Sequence, residues 1–491
     1  MSSGPPPAAP GPEARAGSVA DRVVALLPPG RLARGAVLAG LYGLVLATFL
    51  PGSMTPDTIR MCSEAVADVY TDWHSPVLSG IWGFVDLRPE VLFAGVTALT
   101  VVSIQLIVSR WLRPWVAVAA TCAIVLFPAT LGWMGHIGKD VWFASSFLAG
   151  IALMCRAGPA RRAGVRRALL VGAGVCFWVA IAARKNAMLP VGGALLVAWP
   201  VPPTVFGRTL RPLVRRVLAS AAVLVVLVAS VTAFGSFVVQ PTATHADQST
   251  YVFDLAGMSL AEHEDLYPEG ILREGTTLET IDKYFDVAKG DGYFFAEGTP
   301  VDPFLDEARV EELRSAWVDA VLEHPIAYLR TRLSYTWALL GLSAPHPQGS
   351  VNDGGSRPET FAMECPLRDR YDANLYEDVF GALQRVERTN VWRGWVFTLV
   401  LVGAALAAGW TRVAEARALL VGGVLSLAGL ALVGISPVFR YSWFTAVCAL
   451  IAVALALSRV PQLARRDDGD PPEPAEEDPA DAGPTADRVT T

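Results

Sequence analysis

Apolar runs of about 20 residues recur through 33–239 and again through 392–458, and each is long enough to cross the roughly 30 Å hydrocarbon layer as a helix. Inside lipid, only helices or closed barrels satisfy every backbone hydrogen bond, and runs of this length are helical. Spans are predicted near 33–50, 91–109, 115–134, 140–155, 168–183, 187–203, 216–239, 392–410, 417–435 and 439–458. The fold class is therefore an all-α polytopic membrane protein with about ten transmembrane helices. Only 18% of the 491 residues are charged, against about 25% in soluble domains. Read as one helix, 168–203 would run about 50 Å, so a hairpin with Arg184, Lys185 and Asn186 at its tip is the better solution.

Basic loops orient the bundle by the positive-inside rule. Arg110 and Arg113, the segment 156–167, the segment 208–216, Arg412 and Arg417, and Arg459, Arg465 and Arg466 all fall on one side. That side is read as cytoplasmic, with both termini, in the plasma membrane. The chain then divides into a polar tail (1–32) and a first bundle of seven spans (33–239) that includes a first outer loop (51–90). An extracytoplasmic segment (240–391), three last spans (392–458) and an acidic Pro-rich tail (459–491) follow. Both tails have the composition of disordered chain. The apolar stretch 324–344 is not counted as a span, because Arg330 and Arg332 would sit in hydrocarbon at a cost of a few kcal/mol each. It is expected to be an interfacial helix with Tyr335 and Trp337 at headgroup level.

With that orientation all six histidines and all four lysines lie outside. In the first outer loop, Thr55 can cap a helix that starts with Pro56. Asp57, Glu64 and Asp68 then recur on one face, and Ile59, Val66, Val69 and Tyr70 form the other. "DWHSP", with Asp72 and His74, ends this helix, and Ser75–Pro76 opens a second amphipathic run. The loop is expected to be a two-helix jaw lying over the mouth of the bundle. Lys139–Asp140, Arg184–Lys185 and Arg440 stand at helix ends on the same side, against the positive-inside bias, and Asp57 lies close to low-dielectric surroundings where its pKa can be tuned.

The order of an acid after the first span, a two-helix outer loop, "GHIGKDVWFA" (135–144), "ARKNAMLP" (183–190), a large late outer segment and "RYSWF" (440–444) resembles GT-C superfamily glycosyltransferases. Within that group it is similar to uncharacterised bacterial integral membrane proteins. The resemblance implies transfer of a sugar from a polyprenyl-phosphate donor to an envelope glycan, lipid or protein on the extracytoplasmic face. Nucleotide sugars stay in the cytoplasm, so a donor carried across on a lipid fits an outward site. On this reading Asp57 is the general base. Lys139, Asp140, Arg184, Lys185, Asn186, Arg440 and Tyr441 bind the phosphate and sugar, with the cations stabilising the leaving group. Asp72, His74 and Glu64 orient the acceptor. Asp57 is followed by Thr58 where many members carry adjacent acids, which leaves a divalent metal open; no other cofactor is implied.

Cys122, Cys155, Cys176 and Cys448 fall in or at the ends of spans, where they act as small apolar residues. Cys62 and Cys365 are outward, in the oxidising compartment, and a bridge between them is expected. Two other functions stay open, a transporter or lipid-handling protein and an envelope-assembly scaffold. The spans hold few acids and no internal repeat is visible. No basic surface for nucleic acid is present, and P-loop, GxGxxG, GxSxG and HExxH patterns are lacking.

Overall fold

Each apolar run in the sequence centres on a helix in the computed structural model, which describes residues 29–84, 88–200, 211–295, 297–302, 305–343, 374–387, 389, 392–409, 412–460 and 463. Most of the two tails, and Cys365, lie outside the described residues. Among the described residues, seven helices are long and apolar enough to cross a membrane: α1 (Pro29–Phe49), α4 (Pro89–Val108), α7 (Lys139–Ala157), α8 (Ala163–Ala183), α10 (Pro212–Phe234, continued by a π-helical turn to Val239), α18 (Ala414–Val433) and α19 (Arg440–Leu457). Proline at the first helical position starts several of them, where its missing N–H costs nothing. The expected span 115–134 is two helices, α5 (Pro114–Leu126) and α6 (Pro128–Met134), bent by 68°. Pro128 removes a donor and disfavours helical geometry at Phe127, which is extended (ψ 131°). The expected spans 187–203 and 392–410 are the shorter apolar helices α9 (Met188–Ala198) and α17 (Gly394–Ala407).

Helix α7 is the centre of the bundle, 83% of its apolar stretch being buried inside the protein. It packs most extensively on α8 and also along α4. Small residues allow the close approach that helices need in lipid, where burial of apolar surface from water cannot drive them together. A side chain at Gly150 would meet Phe177 at 2.5 Å, and one at Gly422 would meet Phe147 at 2.5 Å. Phe143 and Phe147 in turn contact Phe444, with ring centroids 4.7 and 4.9 Å apart. Helix α9 packs chiefly on α18, while 185–187 forms a single 3-10 turn after α8. By contrast α10 is peripheral, with Val225, Val226, Phe237 and Val238 exposed.

Segment 240–343 builds most of a second apolar core, around Phe253, Tyr293, Leu313 and Tyr335, to which Leu427 and Leu430 of α18 are added. Its helices are α11 (Gln248–Glu262), α12 (Leu278–Tyr284), α13 (Gly290–Phe295), α14 (Glu307–Glu323) and α15 (Pro325–Leu339), and α16 (Asn374–Glu387) follows before α17. Here the expectation for 324–344 needs correction. Tyr335 is fully buried (0% exposed), packed on Phe253, and donates to Ser436 O at 3.3 Å. Trp337 is 56% exposed, on a stripe with Ile326, Leu329 and Leu333. Arg332 lies inside the protein: it donates to buried Asp254 (2.6 Å) and to Gly434 O (2.6 Å). One face of α15 is thus a protein interface that carries a paired charge.

The first loop folds as two helices, α2 (Pro56–Ala67) and α3 (Pro76–Phe84). Thr55 caps α2 by accepting from the Thr58 N–H at 3.3 Å. The buried face of α2 carries Thr58, Met61, Cys62 and Ala65, whereas Val66 and Val69 are exposed. Glu64, expected on one presented face with Asp57 and Asp68, turns inward instead. Glu64 is buried, accepting from Thr71 Oγ1 and from Ser79 Oγ (2.9 Å), with Arg60 at 3.7 Å. It ties α2 to α3 and is not presented to a ligand. Asp68 ends α2 in the left-handed region. Among the described residues no strand forms, only isolated bridges.

Candidate active site at the mouth of the bundle

Backbone pairing sets the site. Ser53 N donates to Gly135 O (2.8 Å) and Ile137 N to Ser53 O (2.9 Å), which lays the end of the first span beside the turn before α7. Thr58 Oγ1 adds a bond to Ile137 O at 2.7 Å. Gly52 is needed for this approach: its φ is +105°, and a Cβ there would stand 2.4 Å from Ile137. Asp57, in the first turn of α2, is thereby carried to Lys139, the first residue of α7.

Asp57 Oδ2 lies 3.0 Å from Lys139 Nζ and 3.2 Å from a terminal guanidinium nitrogen of Arg440, the first residue of α19. Its side chain is 18% exposed. Burial works against the charged carboxylate, but Arg440 and then Lys139 outweigh it and hold the group well below the usual carboxylate range. Lys139 also reaches His74 Nδ1 at 3.1 Å. An ammonium can only donate, so Nδ1 accepts and the ring proton is on Nε2. Burial first, and then Lys139, bring the His74 pKa down to about 3, so this histidine is neutral.

Beside this group Asp140 accepts from Arg184, the residue that caps α8. The Arg184 guanidinium lies 4.7 Å from the Tyr441 ring centroid and that of Arg440 lies 4.8 Å from it, both within cation–π range. Arg440 also donates to the Tyr441 hydroxyl at 3.0 Å. Lys139 and Arg440 meet at Asp57, and Arg184 pairs with Asp140. Two of these cations stand at helix N-termini, whose partial positive charge favours an anion. Three cations and two carboxylates thus gather at one end of the bundle.

Other sequence candidates are placed differently. Asp72 Oδ1 accepts from both the backbone N–H and the hydroxyl of Thr244, each at 2.6 Å. With Thr242 N donating to Tyr70 O (2.8 Å) and Asp72 N to Thr242 O (3.2 Å), it stitches the jaw to the chain after α10. Its carboxylate is thus committed to the fold and does not face the cations. Lys185 Nζ is 3.5 Å from Asp72 O, and the Cβ of Asn186 lies close to Gly429 of α18. Thr58, Thr242 and Thr244, which hold the site in place, were not found from the sequence, since a lone threonine distant in the chain carries no signal of its partner. His136 was also passed over. It is buried, stacked on Trp133 at 4.6 Å, and donates from Nδ1 to Gly132 O at 3.0 Å.

Among the described residues, no three histidine, cysteine, aspartate or glutamate side chains are grouped to hold a metal ion. Asp57, Asp140 and His74 already face cations, and adjacent positive charge opposes a divalent ion, so these residues do not fit a metal centre as arranged. Cys62 is disulfide-bonded, and Cys122, Cys155, Cys176 and Cys448 are free. Cys365, expected as the partner of Cys62, lies outside the described residues.

Fold and site together describe a polytopic helical membrane protein with a charged mouth at one end. No protein-family model matches the chain, and no curated protein matches it. Among solved structures, a crystal structure of the Archaeoglobus fulgidus oligosaccharyltransferase in complex with Zn and sulfate is similar over 86% of this chain, at 13% identity and a TM-score of 0.41. The likeness covers 49% of that protein, so the chain spans about half its length.

Proposed function

We propose that the chain is an integral membrane glycosyltransferase that moves a sugar from a polyprenyl-phosphate donor to an envelope acceptor at this mouth. The observation that carries the reading is the placement of Asp57 against Lys139 and Arg440, at 3.0 and 3.2 Å, beside Arg184 and Tyr441. Such a transfer needs a carboxylate for the acceptor proton and cations for the departing phosphate, within one site reached from lipid. The acceptor hydroxyl oxygen bonds to the anomeric carbon as its proton passes to Asp57. The bond from that carbon to the phosphate oxygen breaks, and its electron pair leaves with polyprenyl phosphate. Lys139 and Arg440 meet the charge that grows on the phosphate, and Arg184 adds to the field. Tyr441 fixes the two guanidinium planes, and neutral His74 offers an Nε2–H to a sugar or acceptor oxygen.

The test is incubation of purified protein with polyprenyl-phosphate sugars, with released polyprenyl phosphate as the readout. Wild type releases it, and Asp57→Asn lowers the rate by at least about a hundredfold, the lower end expected for loss of a general base. Full activity in Asp57→Asn removes the residue from the mechanism.

A further inference from the structure

The two cations best placed for a phosphate are already taken. Lys139 and Arg440, from two different helices, converge on the same oxygen of Asp57. A carboxylate held in this way is a poor proton acceptor, because protonation would strand two positive charges in a partly buried site. The base and the phosphate site therefore compete for one pair of cations. Asp140 is less able to compete, since Arg184 holds it and it is more deeply buried.

We propose that the phosphoryl group of the donor displaces Asp57 from Lys139 and Arg440, so that Asp57 becomes a competent base only when a donor is seated. This rests on the transfer reading above and concerns the order of events at the same site. An incoming phosphoryl anion acts on Asp57 twice. It draws away the two cations that favour the charged carboxylate, and it brings a like charge beside it. Both effects favour proton uptake by a carboxylate. The other groups facing Asp57 do not undo this: His74 is neutral, and the Arg184–Asp140 pair is balanced within itself. The device limits deprotonation of an acceptor, or of water, when no donor is present. It also predicts that the wild-type site binds phosphate less tightly than its cations alone would allow.

Binding measurements test this directly. Full-length protein in detergent is titrated with a short-chain polyprenyl phosphate, with inorganic phosphate, and with the matching polyprenol. Asp57→Asn and Asp57→Ser are each compared with wild type. Both variants are expected to bind the polyprenyl phosphate about tenfold more tightly, the order expected when one charge-assisted pair no longer competes, while sugar transfer is lost. Lys139→Met in the Asp57→Asn background is expected to reverse that gain. A gain for inorganic phosphate as large as for the lipid identifies the phosphoryl group alone as the displacing chemistry, and a gain confined to the lipid adds the chain as an anchor. A gain with polyprenol overturns the proposal, since no anion is then involved. Unchanged or weaker binding of polyprenyl phosphate in both variants also overturns it, while leaving the transfer reading intact. Failure of wild type and both variants to bind any polyprenyl phosphate counts against the transfer reading itself.

Discussion

One lysine serves two neighbours at the mouth, a carboxylate it keeps charged and an imidazole it keeps neutral. Both effects make the site sensitive to acid, in different windows. The pKa of His74 falls from an ordinary value near 6.5 to about 3 on folding. Its contribution is whole above the unfolded value and is lost as pH falls toward 3, because the unfolded chain takes up the proton first. Asp57, also depressed on folding, contributes above the usual carboxylate range near 4 and loses its contribution below that. Thermal unfolding in detergent should therefore show wild type losing stability between pH 6.5 and 4 more steeply than His74→Gln. Parallel curves for the two proteins would contradict a buried, neutral His74. Asp57, Lys139 and Arg440 were legible in the sequence because charges at the apolar ends of spans are costly and so conspicuous. The threonines that position Asp57 and Asp72 were not, because their bonds join residues 79 and 172 positions apart.

At the scale of elements, amphipathic patterns located helices better than they identified what those helices touch. The stretch from Thr55 through α2 is readable from its cap and proline, yet the pattern does not show that Met61, Cys62 and Ala65 meet protein or that Glu64 is buried with them. Val66 and Val69 have the hydrophobicity of buried residues but fall where α2 ends, and the face of Met61, Cys62 and Ala65 wins because it meets protein. Pattern alone also cannot separate a membrane partner from a protein partner, which is why Tyr335 was misplaced and Trp337 was not distinguished from it. Two predictions follow the observed contacts. Glu64→Ala removes the acceptor shared by Thr71 and Ser79, and should destabilise the jaw by about 1–3 kcal/mol. It should speed proteolysis within 55–84, and an unchanged proteolysis rate would contradict the clamp. Asp254→Ala leaves Arg332 buried without its carboxylate, with an expected loss of about 3–5 kcal/mol. Chemical unfolding measures this, and a loss below 1 kcal/mol would be that of a surface pair. Because Arg332 also holds Gly434 O, six residues before Arg440, the same change should weaken phosphate binding at the mouth.

For the whole molecule, charge divides between two ends of one bundle. At the end away from the mouth, Arg110 donates to buried Glu415 at 2.5 Å and to Cys155 O at 2.8 Å. There too Arg156 donates to Leu106 O and Arg417 to Val197 O, each meeting a carbonyl in the last residues of a helix, where cations are favoured. The cations of the mouth behave otherwise, two of them sitting at helix N-termini where only an anion, in the protein or from outside, compensates them. The helical bundle was legible because hydrophobic length is a strong signal, whereas seven of the ten expected spans are single helices long and apolar enough to cross a membrane among the described residues. The bend in α5–α6, the shortness of α9 and α17, and the second core were less so, since they depend on tertiary packing. The account requires the mouth to face away from the cytoplasm, where only a lipid-carried sugar is at hand. Labelling of intact cells with a membrane-impermeant thiol reagent tests this, using Lys185→Cys at the mouth and Arg161→Cys at the opposite end in a background that lacks other reactive thiols. Modification of Lys185→Cys in intact cells, with Arg161→Cys modified only after lysis, is the predicted result; the reverse pattern would contradict the account.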